Sequence, residues 1–265
     1  MTVVRYVERD GVRLACRDSG GPGTAVVLLH GLAGHAGEWD AVVAALGGRF
    51  RVVAVDQRGS GASERRPQDV SRAAYVADVL AVVEQLGLER PVLVGQSYGG
   101  HAAMLAAATH PGAVSGLVVV EAGPAGSDPE ALAGIAGWFD SWPVPFPSFE
   151  AAVGFFGGGA VGEGWAAGLE ERDGGWWPRF DSGVMVDSLT ENAHRSWWDE
   201  WAQVGCPILA VVGQSGIIDA EQFDRMLGTR PETVAVSVPG TGHDLHLERP
   251  EELARLIGEF VRFVR

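Results

Sequence analysis

The feature that most constrains this chain is a set of short apolar runs that recur along it. Ala25-Val26-Val27-Leu28-Leu29 has no polar residue. Runs of the same kind occupy Arg51–Val55, Pro91–Val94, Gly116–Val120, Pro207–Val212 and Thr233–Val238. A strand that is apolar throughout, instead of at every second position, is buried on both faces. Helical patterns lie between most of these runs, at Trp39–Leu46, Ser71–Leu86 and His101–Ala108, and Glu251–Val264 closes the chain behind a proline. Strands alternating with helices build a parallel sheet covered on both sides. Two alternating segments, Val3–Val7 and Val12–Arg17, flank Asp10-Gly11 and read as a hairpin. The expected fold class is therefore α/β, a mostly parallel eight-stranded sheet with helices on both faces.

One stretch breaks the rhythm. From Pro124 to Val204 the chain holds eight of its nine tryptophans, is dense in glycine and proline, and has no clear strand. It is expected to be an inserted, mostly helical cap (124–204), with residues 1–123 and 205–265 forming the core. With 265 residues, 46% of them hydrophobic, the chain can bury such a core.

The chemistry is carried by three loops that follow buried strands. In Val92-Leu93-Val94-Gly95-Gln96-Ser97-Tyr98-Gly99-Gly100, a strand runs through G-x-S-x-G into a helix. Small residues on either side of Ser97 permit a turn tight enough to expose its hydroxyl at a helix N-terminus, where negative charge is favoured. Ser97 is the expected nucleophile. His30-Gly31-Leu32-Ala33-Gly34 follows the first buried run, and the main-chain N–H groups of Leu32 and Tyr98 are the expected oxyanion hole. His30 itself reads as a structural hydrogen-bonder. Gly240-Thr241-Gly242-His243 follows the last strand, so His243 is the expected general base; His246, on the turn into the final helix, is the rival and is expected to be packed. His35 and His101 are candidates for the pocket lining.

With Asp56–Ser63, His110-Pro111 and Gly242–Pro250 added to these motifs, the chain resembles the α/β-hydrolase superfamily over nearly its whole length. The resemblance implies a triad in the chain order serine, acid, histidine. It also exposes a departure. Most members carry an aspartate in a G-x-x-D turn after the strand at 207–212, whereas this chain reads Gly213-Gln214-Ser215-Gly216. Asp219 lies three residues further on, as a candidate acid or a helix cap. Glu121, just past the strand that follows the nucleophile helix, stands where haloalkane dehalogenases and pancreatic-type lipases place their acid. It is favoured, with Asp219 as the alternative. Dehalogenases and epoxide hydrolases of this fold use aspartate at the elbow, so a serine there implies an acyl-serine intermediate formed from an ester, thioester or lactone. Amidase and C–C bond hydrolase activity stay open, as does a non-hydrolytic small-molecule binder or lyase.

A net charge of −14 argues against nucleic-acid partners. The cysteines, Cys16 and Cys206, form neither a disulfide framework nor a metal knuckle, and no metal or organic cofactor is expected. The first residues lack a signal peptide's apolar core and no run reaches membrane-spanning length, so a cytoplasmic, non-membrane protein is expected. The expected partner is a small apolar or aromatic substrate. Trp138, Trp142 and Trp198 in the cap are candidate flat walls for it. Oligomeric state is not legible.

Overall fold

The computed structural model describes residues 2–264; Met1 and Arg265, the two ends of the expected core, lie outside the described residues. The chain enters through a hairpin, β1 (Val3–Arg9) and β2 (Val12–Asp18). Asp10 and Gly11 both have positive φ, 50° and 76°, the backbone that a two-residue hairpin with right-twisted strands requires. The parallel strands follow: β3 (Ala25–Leu29), β4 (Arg51–Asp56), β5 (Val92–Gln96) and β6 (Gly116–Val120), then, after a long interruption, β9 (Ile208–Gly213) and β10 (Val234–Val238). Together they form one eight-stranded sheet in the order β1-β2-β4-β3-β5-β6-β9-β10, antiparallel only where β1 meets β2 and β2 meets β4.

Helices cover both faces. Alternate residues of one strand serve opposite sides: Leu93 packs into the cluster under α2 (Arg72–Gln85) and α3 (Ser97–Thr109), whereas Val92 and Val94 face α1 (Asp40–Leu46) and α12 (Pro250–Phe263). A short 3₁₀ turn, Ala36–Trp39, precedes α1. The helix α2 starts at Ser71, whose side chain accepts from the Ala74 N–H, and α12 starts at Pro250. Among the described residues, no helix is long and apolar enough to cross a membrane.

Between β6 and β9 run α4 (Pro129–Asp140), α5 (Phe149–Phe155), α6 (Gly159–Ala166), a hairpin β7 (Leu169–Arg172) and β8 (Gly175–Pro178), then α7 (Ser182–Ser188), α8 (Thr190–His194) and α9 (Trp198–Gln203). The hairpin departs from the expectation of a strandless segment. Its strands have four residues each, too few to show a period, and its turn, Asp173-Gly174, repeats the Asp-Gly signal of the first hairpin. Beyond β9 come α10 (Ala220–Thr229) and, after β10, the single turn α11 (Leu245–Glu248).

The tryptophans pack. Trp142 is buried in an aromatic cluster with Phe139, Phe146, Phe156 and Phe180, and Trp138 and Trp165 meet it edge-on. Trp197 and Trp201 join the cluster under α3, where Trp201 Nε1 donates to the Met226 carbonyl at 3.0 Å. By packing, α9 is thus continuous with the core.

Candidate active site

The turn at Ser97 is as tight as its neighbours permit. Ser97 has φ +50°, a left-handed conformation rarely held by a residue with a side chain. A Cβ on Gly95 would lie 2.3 Å from the Gly99 carbonyl oxygen, and one on Gly99 would lie 2.4 Å from the His30 carbonyl oxygen. Both contacts are closer than any real Cβ tolerates, so the two glycines of G-x-S-x-G allow the helix to start directly against the strand and the His30 loop.

That loop is braced from below. His30 is buried; its Nε2 accepts from the Gln57 N–H at 3.0 Å, which leaves Nδ1 as the donor to the Gly31 carbonyl at 2.7 Å. The Gln57 side chain donates to the His30 carbonyl. Asp56 accepts from Ala36 and Ala62 N–H groups. Leu32 and Tyr98 thereby line the same cavity as Ser97. As the second residue of α3, Tyr98 has an N–H with no intrahelical acceptor.

The two candidate acids are placed very differently. Asp219 is exposed and caps α10, accepting from the Gln222 N–H at 2.7 Å. Glu121 is fully buried, with φ +50°, at the end of β6. Its Oε1 accepts from the Gly213 N–H at 2.6 Å and its Oε2 from the Ile217 N–H at 2.7 Å. Oε2 also lies 3.5 Å from His243 Nδ1. A Cβ on Gly216 would sit 2.0–2.1 Å from both carboxylate oxygens. The carboxylate of Glu121 fills the space into which a side chain at 216 would project, so the missing acid of the G-x-x-D turn and the presence of Glu121 are one fact.

His243 follows β10 on a loop and is one-third exposed. Its Nε2 lies 3.2 Å from Gln96 Nε2, and the same Gln96 nitrogen donates to the His243 carbonyl at 3.0 Å. Gln96 is buried and was not among the residues expected to matter; no feature of a G-x-S-x-G pattern singles out its second residue. The rival histidine is elsewhere. His246 is buried against Glu38 at 3.3 Å and Trp39, and burial pushes its imidazole down to about 4.

The cavity beside Ser97 has a volume of about 430 Å³. Its walls are mixed: Leu32, Ile135, Leu189 and Ile218 are aliphatic, whereas Ser127, Asp128, Asn192 and Gln222 are polar. His101 lines it, with burial holding the imidazole well below its ordinary value. The other pocket candidates stand apart. His35 is buried under the inserted segment, accepting from the Gly37 N–H and bonded through Nε2 to the Gly164 carbonyl at 3.1 Å. Trp138 and Trp142 belong to the aromatic cluster, and Trp198 lies under the Arg225 guanidinium at 3.9 Å. Trp142 fills the interior of the inserted helices, while Trp138 lies against it on a surface where it stays 38% exposed. A second hollow of about 440 Å³, between α2, α3 and α9, contains none of the candidate catalytic side chains.

Comparison with known proteins adds three findings. The sequence model of the alpha/beta hydrolase family matches residues 26–256. The chain is 25% identical to the 2-(acetamidomethylene)succinate hydrolase of Mesorhizobium japonicum, over 98% of this chain and 95% of that protein. Among solved structures, an E-2-(acetamidomethylene)succinate hydrolase superposes with a TM-score of 0.89 at 24% identity, covering 99% of this chain and all of the other. A thermophilic esterase from Thermogutta terrifontis superposes with a TM-score of 0.79 at 26% identity, covering 100% and 99%.

Proposed function

The chain belongs to the alpha/beta hydrolase family, and from that membership we propose a serine hydrolase that cleaves carboxylic esters, thioesters or lactones of small, largely apolar molecules. The observation that carries the reading is the buried Glu121 carboxylate, pinned by two N–H groups and facing His243 Nδ1. A carboxylate so placed orients the imidazole and offsets its charge once it is protonated. Ser97 Oγ attacks the acyl carbon and passes its proton to His243 Nε2. The carbonyl oxygen becomes an oxyanion facing the Leu32 and Tyr98 N–H groups. Collapse expels the alcohol or thiol, which takes the proton from His243. Water then repeats the sequence on the acyl-serine and frees the acid.

The aliphatic part of the wall, at Leu32, Ile135, Leu189 and Ile218, supports a short or medium apolar acyl group, and Ser127, Asp128, Asn192 and Gln222 add polar partners for the rest of the substrate; a volume of about 430 Å³ is within the range of small-molecule sites. With Trp138, Trp142 and Trp198 packed elsewhere, nothing in the lining favours an aromatic group over an aliphatic one. Two measurements test the reading: labelling by a fluorophosphonate probe, lost in Ser97→Ala, and kcat/KM over p-nitrophenyl esters of graded acyl length. Unlabelled protein with an intact fold would instead support a non-hydrolytic binder.

A further inference from the structure

We infer that Gln96, the residue before the nucleophile, is a positioning residue that sets which nitrogen of His243 carries the proton. The inference rests on the reading that Ser97 and His243 perform the chemistry. Three observations on the Gln96 side chain carry it.

The first is which end of the amide faces the histidine. The nitrogen Nε2 lies 3.0 Å from the His243 main-chain carbonyl, which can only accept. The amide is therefore turned with its NH₂ group toward His243. The second is the reach of that same group. Its nitrogen is also 3.2 Å from His243 Nε2, and an NH₂ group has two hydrogens, one for each acceptor. An N–H directed at the imidazole Nε2 needs a lone pair there, which leaves the ring proton on Nδ1. That is the tautomer a general base needs if its Nε2 is to take the serine proton. The third is how the amide is held. Gln96 is buried, and a Cβ on Gly31 would lie 2.2 Å from its Oε1. The amide thus rests directly on the Cα of Gly31, which confines the side chain, and the His243 carbonyl fixes which end is the nitrogen. A side chain at 31 would displace it.

Glu121 alone does not impose the tautomer as firmly. Its Oε2 is 3.5 Å from Nδ1, at the limit of hydrogen-bond range, while both its oxygens are committed to main-chain N–H groups at 2.6 and 2.7 Å. The carboxylate is fixed by the β9 loop and the imidazole by Gln96. Among the described residues, no side chain hydrogen-bonds to Ser97 Oγ, so in this resting arrangement Gln96 holds the position on Nε2 that the serine hydroxyl takes when a substrate enters. Apo sites commonly tighten in this way on binding.

The test uses the full chain and two variants. Gln96→Met keeps the length and removes the donor; Gln96→Glu keeps the shape and replaces the donor with an acceptor. The ¹⁵N shifts of His243, read in the Ser97→Ala background at a pH where the ring is neutral, report the tautomer without any turnover. The unsubstituted residue at 96 should give the Nδ1–H form, and Gln96→Met a mixture with Nε2–H. In the catalytically intact chain, Gln96→Met should lower kcat about tenfold with KM nearly unchanged. Gln96→Glu, with an acceptor in the donor's place, should give the larger share of the Nε2–H form. A purely structural Gln96 would alter yield and melting temperature but leave the tautomer in place. An Nε2–H tautomer in the unsubstituted protein overturns the inference outright, whether or not either variant folds. So does an unchanged tautomer in Gln96→Met. Retained activity in Ser97→Ala would instead sink the underlying hydrolase reading and leave the tautomer measurement standing.

Discussion

Moving the acid from position 121 to position 216 is the sharpest perturbation the site permits. Gly216 is not in the left-handed region, so its backbone accepts an ordinary side chain; only the Glu121 carboxylate excludes one, at 2.0–2.1 Å from the new Cβ. Gly216→Asp alone should therefore destabilise the fold. It overpacks a buried site, at about 1–3 kcal/mol, and sets two carboxylates against each other. Glu121→Ala alone removes the partner of His243 and should lower kcat by about 10⁴. It also strips the acceptor from the buried Gly213 N–H, at about 1–3 kcal/mol when unpaired, and from the N–H of the exposed Ile217. The double variant relieves the overlap and returns a carboxylate to the same space. It should recover about 100-fold in kcat over Glu121→Ala and melt above Gly216→Asp, a coupling that independent sites do not show. The assay is kcat on a p-nitrophenyl ester beside a thermal melt of all four proteins. A loss below about tenfold in Glu121→Ala would remove Glu121 from the site. A double variant no better than Glu121→Ala would show that the shared space is not where the carboxylate acts.

Other expectations follow from the same geometry. Ser97→Ala should cost about 10⁶ in kcat and His243→Ala about as much, with circular dichroism unchanged, whereas His246→Ala should spare far more of the turnover and lower the melting temperature instead. Asp219→Asn should leave kcat unchanged and stability within a few tenths of a kcal/mol, roughly the difference between two good caps; steady-state kinetics and a melt decide it. Burial holds the His246 imidazole at about 4, below its ordinary value, so the unfolded chain takes up that proton first. Its contribution to stability is full above pH 6.5 and is lost as pH falls from there toward about 4. His246→Leu should flatten the melting temperature over that window, and an unchanged slope would refute the assignment. The Cys16 thiol, buried and pushed up to about 12, should resist iodoacetamide at pH 8 in the folded protein.

The parts of this molecule that were legible in its sequence are those decided by neighbours along the chain. The apolar run 92–94 and the two glycines around Ser97 state a strand and a tight turn without reference to the rest of the fold, and the eight strands of the sheet fall where the runs are. What was illegible depends on partners far away in sequence. Trp138, Trp142 and Trp198 read equally well as pocket walls or as packing, because composition does not say which way a ring faces. The structure packs Trp142 into the inserted helices, leaves Trp138 exposed against it and Trp198 against Arg225, and lets Leu32, Ile135 and Leu189 line the cavity. His35 was ambiguous for the same reason: its acceptor is a main-chain carbonyl at Gly164, 129 residues away. Gln96 had no signal at all, since its partners, Gly31 and His243, come from loops that only the sheet brings together.

The candidate acid shows how a carboxylate can occupy the same space when its usual motif is absent. Positions 121 and 216 are far apart in the chain, yet β6 and β9 are adjacent in the sheet, paired through Leu117–Val120 and Ile208–Val211, and the Glu121 N–H continues that ladder to the Val211 carbonyl at 2.9 Å. A carboxylate launched from the end of either strand therefore arrives at the same place above the sheet. Glutamate is needed at 121 because the side chain must cross from its own strand to the N–H groups of Gly213 and Ile217 on the next. Glycine is needed at 216 because that crossing ends where a Cβ would be. Each residue is explained only by the other, so a substitution at one makes sense only with a substitution at its neighbour. A search along a single strand's loop finds no acid, while a search across the strand pair finds it in the one space that faces His243 Nδ1.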